Sequence, residues 1–449
     1  MTTLFAFLFV LAVLIVVHEL GHYWVARWCG VKVLRFSVGF GKPLWIKRWG
    51  PDRTEWVLSL IPLGGYVKML DESEAERPIT ANELPRAFNR QSVGKRALIV
   101  MAGPAANLLL AIAVYWVINL TGIAAPPAKL APPEPQSLAA QAGIAGDEII
   151  SAINDAPVRS WNDVIWFLTL AGSAHDPVKL TLQSATGTRQ VVLSTQTTKL
   201  DEVNLSVASQ LGLEVSQLAP AVGFVKPDSP AQRAGLQVGD LILAVGETSL
   251  RSPRQLVELI RRSPGQPLHL IVQRGADSFA LEVTPIAEQE TSKNGTMETV
   301  GKIGLGPLPQ YDLREVRYGL LDGGWQAVQR TWQTAVFNLR MLGQLITGQL
   351  SLKNLSGPVT IADYAGQSAR LGLGQLFAFL AVISISLGVL NLLPIPTLDG
   401  GHLLYYLAEI SFGKPLPQQV QEIGQRVGIA VLLMLMSVAL FNDIARLIH

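Results

Sequence analysis

The sequence predicts a polytopic α-helical membrane protein of four transmembrane helices, with a strand-rich loop on one side and a duplicated domain on the other. Three observations carry this. Charge-free apolar runs occupy residues 1–17, 97–128, 371–398 and 427–442, and a helical span needs roughly 20 apolar residues. Lys and Arg crowd residues 27–96, which marks that loop as cytoplasmic. Within residues 127–309, sequence landmarks recur at a constant offset of 92 (Ser137 to Ser229, Gly212 to Gly304). The totals agree. Of 449 residues 49% are apolar and only 16% charged. A net charge of +2 gives no case for a nucleic-acid partner. The single cysteine, Cys29, excludes an internal disulfide.

The first span (1–28) ends in His18-Glu19-Leu20-Gly21-His22. Residues four apart share a helix face, so His18 and His22 aim two imidazoles at one point, as two zinc ligands must. Glu19 beside them can take a proton from water activated by the metal. Ionisable groups inside a span are costly and mark function. The run has no basic leader and no small-residue cleavage site, so it reads as a retained span. With the 27–96 loop inside, the N-terminus, residues 124–370 and the C-terminus lie outside.

The cytoplasmic loop (29–96) reads as short strands over 31–38, 43–49, 54–60 and 63–70, broken by Gly and Pro. Residues 61–69 fit a hairpin at the membrane face or an ordinary cytoplasmic one. In the first case the edge through Gly64, Gly65 and Tyr66 can hold a substrate in extended form, replacing helix hydrogen bonds with strand bonds. The second span (97–123) opens with Gly103-Pro-Ala-Ala-Asn107. Small residues allow close helix approach, and Asn107, a polar group at the depth of the histidines, reads as a substrate-binding residue.

The outside segment divides into 127–218 and 219–309. Ser137-Leu-Ala-Ala-Gln-Ala-Gly143 answers Ser229-Pro-Ala-Gln-Arg-Ala-Gly235, and Gly146-Asp147 answers Gly239-Asp240, one residue short in the first copy. Both repeats resemble PDZ domains, in circularly permuted order, because the Φ-Gly-Φ element (Leu211-Gly212-Leu213, Ile303-Gly304-Leu305) comes last. The resemblance implies peptide C-termini as ligands, with a scaffold or steric filter as the equal alternative. Residues 311–355 have apolar positions at helical spacing, either on the membrane surface through Trp325 and Trp332 or against the second repeat.

The third span (371–399) ends Asn391-Leu-Leu-Pro-Ile-Pro-Thr-Leu-Asp-Gly-Gly. Spans one and three both run from outside to inside, so Asp399 reaches the depth of His18 and His22 and completes three ligands with one open position. Residues 400–424 read as a cytoplasmic loop and 425–449 as the fourth span. His175, His269, His402 and His449 read as structural or surface residues.

His-Glu-x-x-His, Gly-x-x-x-Asn and Asn-x-x-Pro-x-Pro-x-Leu-Asp-Gly together resemble the site-2 protease family of intramembrane zinc metalloproteases, nearly end to end. The resemblance implies one Zn2+ held by His18, His22 and Asp399, with Glu19 as catalytic acid/base. It implies that Asn391 holds substrate or transition state, and that residues 61–69 form a membrane-reentrant β-hairpin. It further implies cleavage of single-pass membrane proteins, including an anti-sigma factor already trimmed by a site-1 protease and remnant signal peptides. The setting would be a bacterial inner membrane, with the active site toward the cytoplasm and the PDZ domains periplasmic. Two other readings stay open: a membrane zincin acting on soluble or misfolded proteins, which needs a third ligand in a soluble helix, and a non-catalytic PDZ scaffold, which needs no zinc.

Overall fold

The computed structural model describes residues 2–72, 79–174, 176–195, 207–291, 297–352 and 355–448; His175 and His449 lie outside these. The chain forms two units, Met1–Ile123 with Arg317–His449, and Ala124–Val316.

Helix α1 (Thr2–Trp28) runs unbroken through the His/Glu cluster, with Val10, Leu14, His22 and Ala26 on its buried side. Two strands follow, β1 (Val33–Trp49) and β2 (Thr54–Met69). Each is long and bent, so the pair makes four strand segments, as the Gly and Pro breaks predict. Residues 35–38 pair on one side with 55–58 and on the other with 65–68. Segments 43–49 and 65–69 are therefore the two outer edges. The chain turns without losing its ladder because Gly39 (φ 91) and Gly64 (φ 124) take a conformation open to glycine. Tyr23, Val33, Phe36 and Ile99 form a buried cluster that seats the sheet on the helices. Helix α2 (Val93–Thr121) begins before its apolar run and takes Lys95 and Arg96 into its first turn.

After β3 (Ile123–Ala125) come the repeats. The first holds α3 (Leu138–Gln141), β4 (Ile149–Ile153), β5 (Ala156–Pro157), α4 (Trp161–Ala174), β6 (Val178–Ser184), β7 (Gly187–Leu193) and α5 (Val207–Leu211), with sheet order β5-β4-β6-β7. The second holds β8 (Leu218–Val225), α6 (Pro230–Arg233), β9 (Leu241–Val245), β10 (Thr248–Ser249), α7 (Pro253–Arg261), β11 (Leu268–Arg274), β12 (Asp277–Val283), a β13–β14 hairpin (Ile286–Thr291, Met297–Lys302) and β15 (Leu305–Gln310). Its sheet order is β12-β11-β9-β8-β15, with β10 on β9. Each repeat has its own apolar core.

The landmarks of the two repeats play matching parts. Ser137 caps α3 by accepting from Ala140 N, and Ser229 caps α6 by accepting from Gln232 N. Gly212 lies against Ser137, and Gly304 against Ser229. The expected one-residue shortening is not there. The offset of 92 continues, so Glu148, not Asp147, is the partner of Asp240. Glu148 accepts from Ala145 N and pairs with Arg189; Asp240 accepts from Gln237 N and pairs with Arg274. Each arginine also donates to a glycine carbonyl, Gly143 or Gly235, and holds its carboxyl below the usual range. Asp147 stands where Gly239 does, and both have positive φ (70 and 95).

Among the described residues the chain closes with helices α8 (Leu320–Ile346), α9 (Pro358–Leu371), α10 (Leu373–Asn391), α11 (Asp399–Phe412) and α12 (Gln418–Ile448). Among the described residues, helices α1, α2, α10 and α12 are long and apolar enough to cross a membrane. Helix α8 packs on α2: Trp116 Nε1 donates to Leu320 O and Asn119 Nδ2 to Gly323 O. It also meets α10, where Asn338 donates to Ser386. Trp325 and Trp332 remain exposed.

Two further expectations need correction. The third apolar helix stops at Asn391, because Pro394 and Pro396 cannot donate to a helix ladder. Residues 399–412, expected within a loop, are helix α11. Its opening Gly400-Gly401 is a close-packing device and not a break: a Cβ on Gly400 would lie 2.2 Å from Leu393 O.

Candidate metal centre

The centre forms where the last turns of α1 meet the start of α11, across the middle of α2. His18 Nε2 and His22 Nε2 are 3.3 Å apart. Asp399 Oδ2 lies 3.3 Å from the first and 3.6 Å from the second. Bonds of about 2.0–2.2 Å from a tetrahedral zinc to N and O place neighbouring ligand atoms about 3.3–3.6 Å apart. The three donors therefore already mark one face of a zinc tetrahedron, and the fourth position is left for another ligand. All three side chains are largely buried.

Helix α2 sets the rings. His22 Nδ1 donates to Ile99 O at 2.8 Å, which leaves Nε2 free to bind metal. The Asn107 side-chain amide lies 3.2 Å from His18 Nδ1. Between them Gly103 has no room for a side chain: a Cβ there would sit 2.2 Å from His22 Nε2. Asn107 is fully buried, and its backbone carbonyl accepts from the equally buried Ser384 Oγ of α10 at 2.7 Å.

Glu19 lies beneath the sheet edge. A Cβ on Gly65 would stand 2.9 Å from Glu19 Cγ, so only glycine lets this strand pass so close. Tyr66 stacks on Phe40, and its hydroxyl accepts from Arg35. Gly64 also packs on Phe40. Asn391 is the half-buried last residue of α10.

The structure thus brings together His18, His22, Asp399, Glu19 and the Gly64–Tyr66 edge. It turns Asn107 toward His18 rather than toward the strand edge. Sequence reasoning missed the Ile99 carbonyl, which carries no side-chain signal. It also missed Ser384, whose polar side chain within an apolar run was the available clue. A further pair went unseen: Arg96 Nη2 donates to Glu409 at 2.7 Å, tying the start of α2 to the far end of α11, and the guanidinium stacks over Tyr406.

Paired imidazoles, a carboxylate from a distant segment and an adjacent glutamate define a metal-dependent hydrolase built on apolar helices. The model of peptidase family M50 matches residues 6–435, and the chain belongs to that family. It is 44% identical over its full length to a putative zinc metalloprotease of Ralstonia nicotianae, covering 99% of that protein. It is 40% identical to a putative zinc metalloprotease of Neisseria meningitidis, with both chains covered completely. It is also 40% identical to regulator of sigma-E protease RseP of Escherichia coli, with 98% of each chain covered. Among solved structures, the PDZ domain of an SdrC-like protein from Listeria monocytogenes aligns with 21% of this chain and 93% of its own, at 23% identity and a TM-score of 0.17. The protein is a zinc metalloprotease of the site-2 type.

Proposed function

We propose that this protease cuts the transmembrane segments of single-pass membrane proteins in a bacterial inner membrane. On this reading its centre lies toward the cytoplasm and its two repeats are periplasmic PDZ domains. The observation that carries the proposal is the His18–His22–Asp399 triangle, with edges of 3.3, 3.3 and 3.6 Å, set among span-length apolar helices. Its third corner comes from the helix that follows an apolar span. That favours an intramembrane protease over a zincin whose third ligand sits in a soluble helix, and over a scaffold that needs no metal.

His18, His22 and Asp399 would hold the zinc. Bound there, the ion supplies Lewis acidity for a peptide carbonyl and brings the pKa of water to roughly 7. Glu19 accepts the proton released by the attacking water and returns it to the leaving amine. A helical substrate hides its carbonyls in its own hydrogen bonds and must unwind first. The free side of residues 64–66 offers replacement strand bonds directly beside Glu19. Asn391 donates a hydrogen bond to a substrate carbonyl or to the developing oxyanion. The substrates are those the family resemblance implies, an anti-sigma factor pre-trimmed outside the membrane and remnant signal peptides, in keeping with the likeness to a regulator of sigma-E protease. The repeats then act as a size filter that refuses the untrimmed substrate, or as receptors for peptide C-termini.

The test pairs metal analysis of the purified protein with cleavage of a model transmembrane segment. Glu19→Gln should keep one zinc and lose cleavage, whereas Asp399→Ala should lose zinc. Normal turnover by Glu19→Gln, or full zinc in Asp399→Ala, would refute the assignments.

A further inference from the structure

The proton on His18 must be placed for the ring to serve as a ligand. The Nε2 atom faces His22 and Asp399, so it must offer a lone pair, and Nδ1 must then carry the ring proton. A protonated Nδ1 needs an acceptor. The only side-chain atom hydrogen-bonded to it among the described residues is the Asn107 amide, at 3.2 Å and fully buried. The two ends of an amide have the same shape and are assigned by what they face. Placed with its nitrogen toward His18, Asn107 sets donor against donor and leaves Oδ1 buried with no partner.

We infer that Asn107 presents its carbonyl oxygen to His18 Nδ1–H and is a positioning residue for the metal, not a substrate contact. The inference rests on His18 being a zinc ligand. Helix α2 then works as a template for α1. It offers an acceptor at Ile99 to His22, a gap at Gly103, and an acceptor at Asn107 to His18. These three positions are spaced four apart, so they share one face of α2, and His18 and His22 are likewise four apart on α1. Acceptors facing matched donors at both ends fix both tautomers and both ring planes before metal arrives. The bond from Ser384 Oγ to the Asn107 backbone carbonyl fastens this part of α2 to α10.

The experiment measures zinc affinity of the full-length protein by chelator competition, in Asn107→Leu, Asn107→Asp and His18→Ala. Asn107→Leu keeps the shape without an acceptor and should weaken zinc about 10–100-fold. Asn107→Asp keeps the acceptor and should stay within about threefold of the parent. The parent protein gives a second reading that needs no substitution. With 15N-labelled histidine, zinc-loaded His18 should show a protonated Nδ1 and a metal-bound Nε2. An unprotonated Nδ1, or unchanged zinc affinity in Asn107→Leu with only KM raised, overturns the inference. So does equal weakening by Asn107→Asp. Zinc retained in His18→Ala would instead refute the ligand assignment beneath it.

Discussion

Gly103→Ala tests the centre through a single methyl group. The new carbon would lie 2.2 Å from His22 Nε2, 2.6 Å from His22 Cε1 and 2.8 Å from His18 Cε1. Ordinary contact between such atoms is about 3.5–4.0 Å, so the rings or α2 must move by more than 1 Å. Zinc ligation tolerates about 0.2 Å. The rings have no slack, since each is also held by α2 at its other nitrogen. Overpacking of this kind costs about 1–3 kcal/mol, and each 1.4 kcal/mol is about a factor of ten in binding. Zinc affinity should therefore fall roughly 5- to 150-fold, with cleavage falling alongside, while the helices still form. Gly94→Ala is the internal control, because a Cβ there meets nothing within 4 Å. It should leave zinc unchanged and stabilise the helix by up to about 1 kcal/mol. Chelator competition and thermal unfolding read both variants. Gly103→Ala with parental zinc affinity and cleavage would refute the geometry.

Three further outcomes follow from the same structure. Arg96→Ala leaves the part-buried Glu409 without its partner and should cost about 1–3 kcal/mol; an exchange of the two residues (Arg96→Glu with Glu409→Arg) should recover part of it in denaturant unfolding. Val67→Pro removes a backbone donor from the edge segment and should reduce cleavage per folded molecule more than it reduces expression, measured by turnover against zinc-loaded protein. Lys32 Nζ, then Thr80, holds the Glu83 carboxyl down at about 2, against an ordinary 4.5. A lowered carboxylate stabilises the fold above its unfolded value, and this is lost as pH falls through the folded one. The stability difference between the parent and Lys32→Met should thus be constant above about pH 5 and shrink from 4.5 toward 2.

The site was most legible where its parts are local. His18, Glu19 and His22 announce themselves by spacing alone, and the strand segments of the loop by their glycine breaks, although residues 61–69 prove to be part of one bent strand and not a hairpin of their own. Asp399 could be placed from afar because two spans running the same way end at one depth. What sequence could not give was which face of α2 meets α1, so Asn107 was assigned to the substrate when it turns to His18. Helix α11 was hidden because it opens on two glycines, poor helix formers, yet Gly400 and Gly401 let the helix press against backbone carbonyls. The repeat was misaligned by one residue because a shared Gly-Asp pair outweighed backbone conformation. Asp147 takes the left-handed geometry of Gly239, and the work of Asp240 passes to Glu148.

The last helix is fastened at one end by a single buried carboxylate. Asp443 of α12 accepts from the backbone of Gly357, Val359 and Thr360 and from the Thr360 hydroxyl, while Asn442 donates to Leu352 O and Leu355 O. These backbone donors belong to the open first turn of α9, which has no cap of its own. Swinging α12 aside would strand them, at about 1–3 kcal/mol for each buried group left bare. That end of α12 is a pin, so on the proposed reading an opening for a substrate helix forms away from it.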